Sequence, residues 1–129
     1  MRALNGFRIR RQLSAHEVYQ AVRSGLSSAR LATRALPCLI CGDNTTTEAA
    51  HISYADMRYG KFGRGKGQKE ESIWVVPLCG YHHRKQHDVG ERPFWRCHEV
   101  DPCRVAAALF IRTQDYQTAL QILEHARDR

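Results

Sequence analysis

The first regular hydrophobic pattern lies between residues 14 and 36. Four apolar residues recur there at intervals of three or four: Val18, Val22, Leu26 and Ala29. This is the period of a helix that buries one face. Ser14 and Glu17 form a capping-box pattern at its start, and Pro37 disfavours helix in the residue before it. We therefore predict one helix over residues 14–36.

A second stripe of the same predicted helix is polar and basic. Its basic members are Arg23, Arg30 and Arg34. These arginines are candidate contacts for a phosphate backbone, and residues 1–13 add a basic N-terminal arm. A solvated helix face explains the stripe equally well.

Two short apolar segments predict strands. Residues 49–52 (AAHI) form the first, and residues 73–76 (IWVV), bounded by Pro77, form the second. Residues 60–67 (GKFGRGKG) contain four glycines, which predicts a basic loop between the strands. Its candidate phosphate contacts are Lys61, Arg64, Lys66 and Lys69. Disorder without a ligand is the alternative for this loop.

Further helices are predicted after the second strand. One runs from residue 80 to residue 89 and is stopped by Gly90 and Pro93. Asp101 is a candidate N-cap with Pro102 at the first helical position. A last helix is predicted after Thr113, with three residues facing inward: Tyr116, Leu120 and Leu123.

Length and charge narrow the class of protein. A chain of 129 residues fits one domain. Its formal net charge is +7, and 16 of its 20 basic residues are arginine, the side chain best suited to forked contacts with phosphate. The charge favours a nucleic-acid partner. A soluble, mildly basic protein without such a partner is the alternative.

Cysteine content and hydropathy indicate the cellular compartment in which the protein is expected. Five cysteines argue against a full disulfide framework, whereas C-x-x-C and C-x-x-H spacings suit metal binding in a reducing compartment. The N-terminus lacks the apolar segment of a signal peptide, and no apolar run approaches the length of a membrane span. We therefore expect a cytoplasmic protein without a membrane partner.

Four residues have the spacing of a structural zinc site. Cys38 and Cys41 form a C-x-x-C knuckle, and Cys79 and His82 form a C-x-x-H knuckle, with 37 residues between Cys41 and Cys79. Zinc favours four such ligands in a tetrahedron. Buried thiols beside a surface histidine are the alternative.

A second histidine pair begins one residue later. His83 and His87 project from one face of the predicted helix, while His82 is rotated by about 100° from His83. They are candidate ligands of a separate divalent metal, with His51 as a general base that takes a proton from water. The alternative is a helix face with two solvated imidazoles.

From residue 37 to about residue 102, the chain resembles the HNH nuclease superfamily, which has a ββα-metal fold. The resemblance is carried by Cys38-x-x-Cys41, Ala50-His51-Ile52 and the run V-P-L-C-x-x-H-H-x-x-x-H over 76–87, and it extends to Gly90, Phe94-Trp95 and Asp101-Pro102. The pattern is most similar to a phage and prophage branch that includes a recombination-enhancement nuclease acting with RecA.

The resemblance implies an α+β fold with a zinc-stapled ββα-metal core over residues 37–102. The N-terminal helix precedes this core, and C-terminal helices follow it over residues 103–129. It implies that His51 is the general base, that His83 and His87 hold a catalytic divalent cation such as Mg²⁺ or Mn²⁺, and that structural Zn²⁺ binds the four knuckle residues. It also implies DNA as substrate and a recombinase or other DNA-processing protein as partner.

Two positions depart from the usual HNH pattern. Many of these enzymes have a metal ligand directly before the base, where this chain has Ala50. The branch often has an acidic residue shortly before the second strand, where this chain has Ser72. Three functions therefore remain open: a nuclease, a zinc-containing DNA-binding module without cleavage, and a zinc-stabilised protein-interaction domain.

Other residues with metal-binding or base-stacking chemistry are predicted to be packing residues. Cys97, His98 and Cys103 have irregular spacing, so buried thiols are preferred to a second zinc site. The aromatic residues Trp74, Phe94 and Trp95 are expected in the core rather than stacked on bases.

Overall fold

The computed structural model describes residues 14–21, 29–62, 74–112 and 116–128. Within these residues the fold is α+β, with six helices and a two-stranded antiparallel sheet. The elements are α1 (Ala15–Ala21), α2 (Ala29–Arg34), β1 (Thr47–His51), β2 (Val75–Cys79), α3 (Gly80–Val89), α4 (Glu91–His98), α5 (Pro102–Arg112) and α6 (Tyr116–Arg127). The predicted fold class is therefore confirmed at the level of α+β.

The start of the first helix is capped as the sequence predicts. The Ser14 amide donates to Glu17 Oε1 at 2.8 Å, and the Glu17 amide donates to Ser14 Oγ at 3.1 Å. The expected inward stripe is wrong at Val18, which is exposed, because Tyr19 is the side chain that α1 buries against α6. Residues 22–28 lie outside the described residues.

The two strands pair in a regular register, from Thr47 opposite Cys79 to His51 opposite Val75. The prediction that Pro77 ends the second strand is wrong, because β2 continues through it to Cys79. Both strands of a two-stranded sheet are edges, where a proline needs no ladder partner for its missing N–H. The Pro77 carbonyl accepts from the Leu39 amide at 2.8 Å, which joins the first knuckle to β2.

Helix α3 has the predicted bounds and ends at Gly90, which adopts a left-handed φ of 95°. A further helix, α4, was not predicted. It contains Pro93 as its third residue, so the expectation that Pro93 stops helical structure is wrong. Proline is tolerated in the first turn, where the amide N–H has no intrahelical acceptor.

The core lies between the sheet and the surrounding helices. It includes Trp74, Phe94 and Trp95, which confirms their predicted role in packing. Asp101 caps α5 as predicted, since its Oδ1 accepts from the Arg104 amide at 3.3 Å. Leu123 of α6 is fully buried, whereas Thr113 lies outside the described residues. None of the described helices has the length and apolar character that crossing a membrane requires.

Candidate metal centre and histidine surface

The four knuckle residues come together in space. Ligand atoms of Cys38, Cys41, Cys79 and His82 all lie within 4.8 Å of one another. The Sγ atoms of Cys41 and Cys79 are 3.8 Å apart, close to the roughly 3.8 Å between two thiolates that each lie about 2.3 Å from a tetrahedral zinc ion. His82 Nδ1 lies 3.3 Å from Cys79 Sγ and 3.8 Å from Cys38 Sγ. This donor set and its spacing can hold a metal such as zinc.

Local backbone structure positions each knuckle. In the first, the Gly42 amide donates to the Cys38 carbonyl at 2.9 Å, and Gly42 adopts a left-handed φ of 81° that closes the turn. In the second, Cys79 is the N-cap of α3, and its Sγ accepts from the His82 amide at 3.5 Å. Cys79 and His82 therefore lie at the same helix start.

The protonation of these groups follows from their surroundings. Burial raises the pKa of the Cys41 thiol to about 11, and the neighbouring Cys38 adds to the shift. Burial acts on Cys38 in the same direction, but hydrogen bonds from nearby backbone amides outweigh it and lower the pKa of that thiol. Burial and the nearby His98 lower the pKa of His82. Both effects favour the neutral imidazole, which is the form that binds a metal.

The neighbouring histidines lie at the surface of α3. The rings of His83 and His87 have centroids 5.0 Å apart, which confirms that they share one helix face. His83 Nδ1 lies 2.6 Å from Oε1 of Glu48 on β1. Glu48 was not among the site residues predicted from the sequence. Its position three residues before His51 is the one sequence signal that points to it. Its pairing with His83 can be seen only in the folded structure.

His51 is the last residue of β1, is half-buried and pairs with Val75. Side chains alternate along a strand, which directs Glu48 and His51 to opposite faces of the sheet. The Glu48–His83 contact therefore does not by itself place His51 beside His83. Among the described residues, His51, His83 and His87 do not form a group whose ligand atoms lie within 4.8 Å.

Two contacts give the direction of α3 relative to β1. Near the start of α3, His83 contacts Glu48 of β1. Just after the end of α3, Glu91 accepts from the Ser53 amide at 3.1 Å and contacts the Ser53 hydroxyl, and Ser53 follows β1. Helix α3 therefore runs in the same direction as β1. His87 lies one turn beyond His83, at a level between Glu48 and Ser53, which is the part of β1 that contains His51.

The predicted phosphate contacts have different outcomes. Arg34 is exposed at the end of α2. The prediction is wrong for Lys61, which is only 3% exposed and donates from Nζ to the Tyr54 carbonyl at 2.6 Å. Its amine satisfies a backbone oxygen and is not available to phosphate. The other candidates have side chains outside the described residues: Arg23, Arg30, Arg64, Lys66 and Lys69.

Asp56, Asp101 and Cys103 form a second close group, with ligand atoms within 4.8 Å. Its carboxylates already have partners, because Arg58 Nη2 lies 2.6 Å from Asp56 and 3.2 Å from Asp101. The Tyr59 hydroxyl also donates to Asp101 at 3.0 Å. Burial and the nearby Asp56 raise the pKa of Cys103 to about 12, which keeps this thiol protonated. The two carboxylates of this group are therefore already engaged by Arg58 and Tyr59.

The predictions for the remaining two cysteines have different outcomes. Cys103 is buried as expected, whereas Cys97 is exposed, so the prediction of a buried thiol is wrong there. Position 97 lies on the outer side of α4, whose neighbours Phe94 and Trp95 face the core. The ring of His98 lies 5.9 Å from that of His82.

The departures from the HNH pattern bear directly on this site. Ala50 is fully buried and has no ligand atom, and Ser72 lies outside the described residues. Comparison of the chain with protein-family models, with curated proteins and with solved structures gives no match. The resemblance to HNH nucleases therefore depends on the motifs.

Proposed function

We propose that this protein is a metal-dependent endonuclease of the HNH type that hydrolyses phosphodiester bonds in DNA. The observation that carries the proposal is the arrangement around α3. His82, at the start of this helix, joins the cysteine cluster, while the next residue, His83, turns to a separate surface that it shares with His87. One short helix thus contributes to a structural metal site and to an accessible pair of imidazoles.

The proposed roles follow from the chemistry of the side chains. His51 takes a proton from the attacking water, which suits an imidazole at neutral pH. His83 and His87 offer nitrogen donors from one helix face to a divalent cation. When bound, Mg²⁺ or Mn²⁺ supplies positive charge that stabilises the leaving oxygen. The net charge of +7 favours association with the DNA backbone.

The test is a plasmid-nicking assay on zinc-loaded protein with added Mg²⁺ or Mn²⁺. We expect the unmodified protein to convert supercoiled DNA to nicked or linear forms, and His51→Ala to reduce the rate by about 100-fold or more. His125→Ala, which changes an exposed histidine on α6, is the matched control and should retain full activity. Equal cleavage by the His51→Ala variant would remove His51 from its proposed role.

The second candidate is a zinc-containing module that binds DNA without cutting it and recruits a recombinase or other DNA-processing protein. The observation that favours it is the buried alanine directly before His51, where many HNH enzymes have a metal ligand. It predicts DNA binding that weakens steeply with salt and no cleavage with any divalent metal. Binding curves at several salt concentrations, measured beside the nicking assay, distinguish the two candidates.

A further inference from the structure

We propose that Glu48 is a positioning residue that orients His83 for metal binding. This inference rests on the proposed function, because it concerns the divalent cation assigned to His83 and His87. It identifies an acidic group beside a site in which Ala50 takes the place where many HNH enzymes have a metal ligand. The role belongs to a residue on β1 that lies 35 positions before His83 in the sequence.

The contact between the two side chains determines which ring nitrogen is free. The Glu48 carboxylate is acceptor-only when ionised, so His83 Nδ1 carries the proton in the 2.6 Å hydrogen bond. The neutral ring then has its lone pair on Nε2. A metal-binding histidine commonly donates its other ring N–H to a carboxylate, which fixes the ring and increases its basicity as a ligand. Glu48 and His83 have this arrangement.

The sheet holds Glu48 beside the start of α3. Glu48 pairs with Leu78, and Cys79 and Gly80 follow directly, so the carboxylate lies at the junction of β2 and α3. The carboxylate lies close to Gly80: a Cβ at this position would lie 3.7 Å from Glu48 Oε2 and 3.3 Å from Arg84 Nη1. Position 80 therefore accommodates the carboxylate and the neighbouring guanidinium together.

The pair remains accessible from solvent. The side chains of Glu48 and His83 are 49% and 23% exposed, and His87 is exposed on the same helix face. A hydrated cation can reach this surface without any change in the fold. The position differs from that of the cysteine cluster, because the paired residues Thr47 and Cys79 share the sheet face opposite to Glu48.

The first measurement is Mn²⁺ binding to the zinc-loaded, full-length protein, followed by the EPR signal of free Mn²⁺. Glu48→Ala is expected to weaken binding by about 10- to 100-fold, the usual effect of removing such a supporting carboxylate. Glu124→Gln removes the same charge from an exposed position on α6 and should leave binding unchanged. Unchanged binding in Glu48→Ala, equal loss in Glu124→Gln, or no Mn²⁺ binding by the unmodified protein would overturn the proposal.

The second measurement is the tautomer of His83, read from ¹⁵N chemical shifts of the imidazole without added Mn²⁺. We expect the Nδ1–H form in the unmodified protein and a change towards the Nε2–H form in Glu48→Ala. Glu48→Gln retains a hydrogen-bond acceptor, so it should largely retain the Nδ1–H form. The same tautomer in all three proteins would contradict the orienting role even if the variants fold normally.

These measurements separate the inference from the proposed nuclease function. If the unmodified protein does not cleave DNA but Mn²⁺ binding depends on Glu48, the nuclease proposal fails and the role of Glu48 stands. If cleavage depends on His51 while Glu48→Ala binds Mn²⁺ normally, the nuclease proposal stands and the role of Glu48 fails.

Discussion

Arg127, near the end of the last helix, donates a hydrogen bond from Nη1 to the carbonyl oxygen of Cys38 at 3.1 Å. The two residues are 89 positions apart in sequence. A Cβ on Gly42, in the same knuckle, would lie 4.0 Å from Arg127 Cζ, so the guanidinium lies close to this turn. Helix α6 therefore contacts the C-x-x-C knuckle through the side chain of Arg127.

Removing this contact should destabilise the protein. We expect Arg127→Ala to lower the free energy of unfolding by about 1–2 kcal/mol, because a charge-assisted hydrogen bond to a partly buried carbonyl is lost. Zinc should also dissociate faster in the presence of a chelator. Urea unfolding and a chelator-competition assay measure the two effects. Arg96→Ala changes an exposed arginine with no ion pair among the described residues and should alter neither; an equal effect there would contradict the specific role of Arg127.

The cysteine cluster predicts that replacing two exposed cysteines, Cys41 and Cys97, has different effects on bound zinc and on stability. Cys41→Ser removes a proposed zinc ligand, and Cys97→Ser removes a thiol on the outer side of α4. We expect Cys41→Ser to lose most of its bound zinc and several kcal/mol of stability, since metal binding contributes directly to folding. Cys97→Ser should retain one zinc per chain. Elemental analysis and thermal unfolding check both variants, and full zinc occupancy in Cys41→Ser would exclude this cluster as the zinc site.

The buried position of Lys61 predicts an effect on folding rather than on DNA binding. Lys61→Ala should lower the free energy of unfolding by about 2 kcal/mol, because the Tyr54 carbonyl loses its charged donor. Lys85→Ala, at an exposed position on α3, should be close to neutral in stability. Chemical unfolding measures this difference. A Lys61→Ala protein that is fully stable but binds DNA much more weakly would support the original phosphate-binding prediction instead.

Asp56 predicts a pH-dependent contribution to stability. Hydrogen bonds from Arg58 lower the pKa of this carboxyl below its ordinary value, so its contribution is present above about pH 4 and is lost as pH falls through the folded-state pKa. Asp56 also caps the short 3₁₀ turn over Met57–Tyr59. Asp56→Ala should cost about 1 kcal/mol at pH 7 and progressively less below pH 4.

Urea unfolding at pH 7 and at the lowest pH where the protein remains folded measures this change for Asp56. Asp88→Ala alters an exposed acid on α3 and should change stability by less than about 0.5 kcal/mol at either pH. The same difference between wild type and Asp56→Ala at both pH values would show that the carboxylate charge is not responsible.

Features that depend on neighbouring residues could be predicted from the sequence. The capping box at Ser14, the bounds of α3 and the cap at Asp101 were predicted correctly, because each depends on hydrogen bonds within one or two turns. The grouping of the four knuckle residues was predicted for a similar reason. Each knuckle spaces two donors by three positions, and the chemistry of a four-ligand ion requires the two knuckles to meet.

Long-range packing decided the other features. Lys61 lies in a glycine-rich, basic segment typical of a surface loop, yet its side chain is buried and donates to the Tyr54 carbonyl. Pro93 has the local signature of a helix stop, yet it lies in the first turn of a helix whose aromatic residues face the core. The contacts of Glu48 with His83 and of Arg127 with Cys38 join segments that share no sequence pattern. The sequence by itself determined which donors are available and how they are spaced locally; only the tertiary structure decided which distant groups become partners, because those pairings depend on how the strands and helices pack.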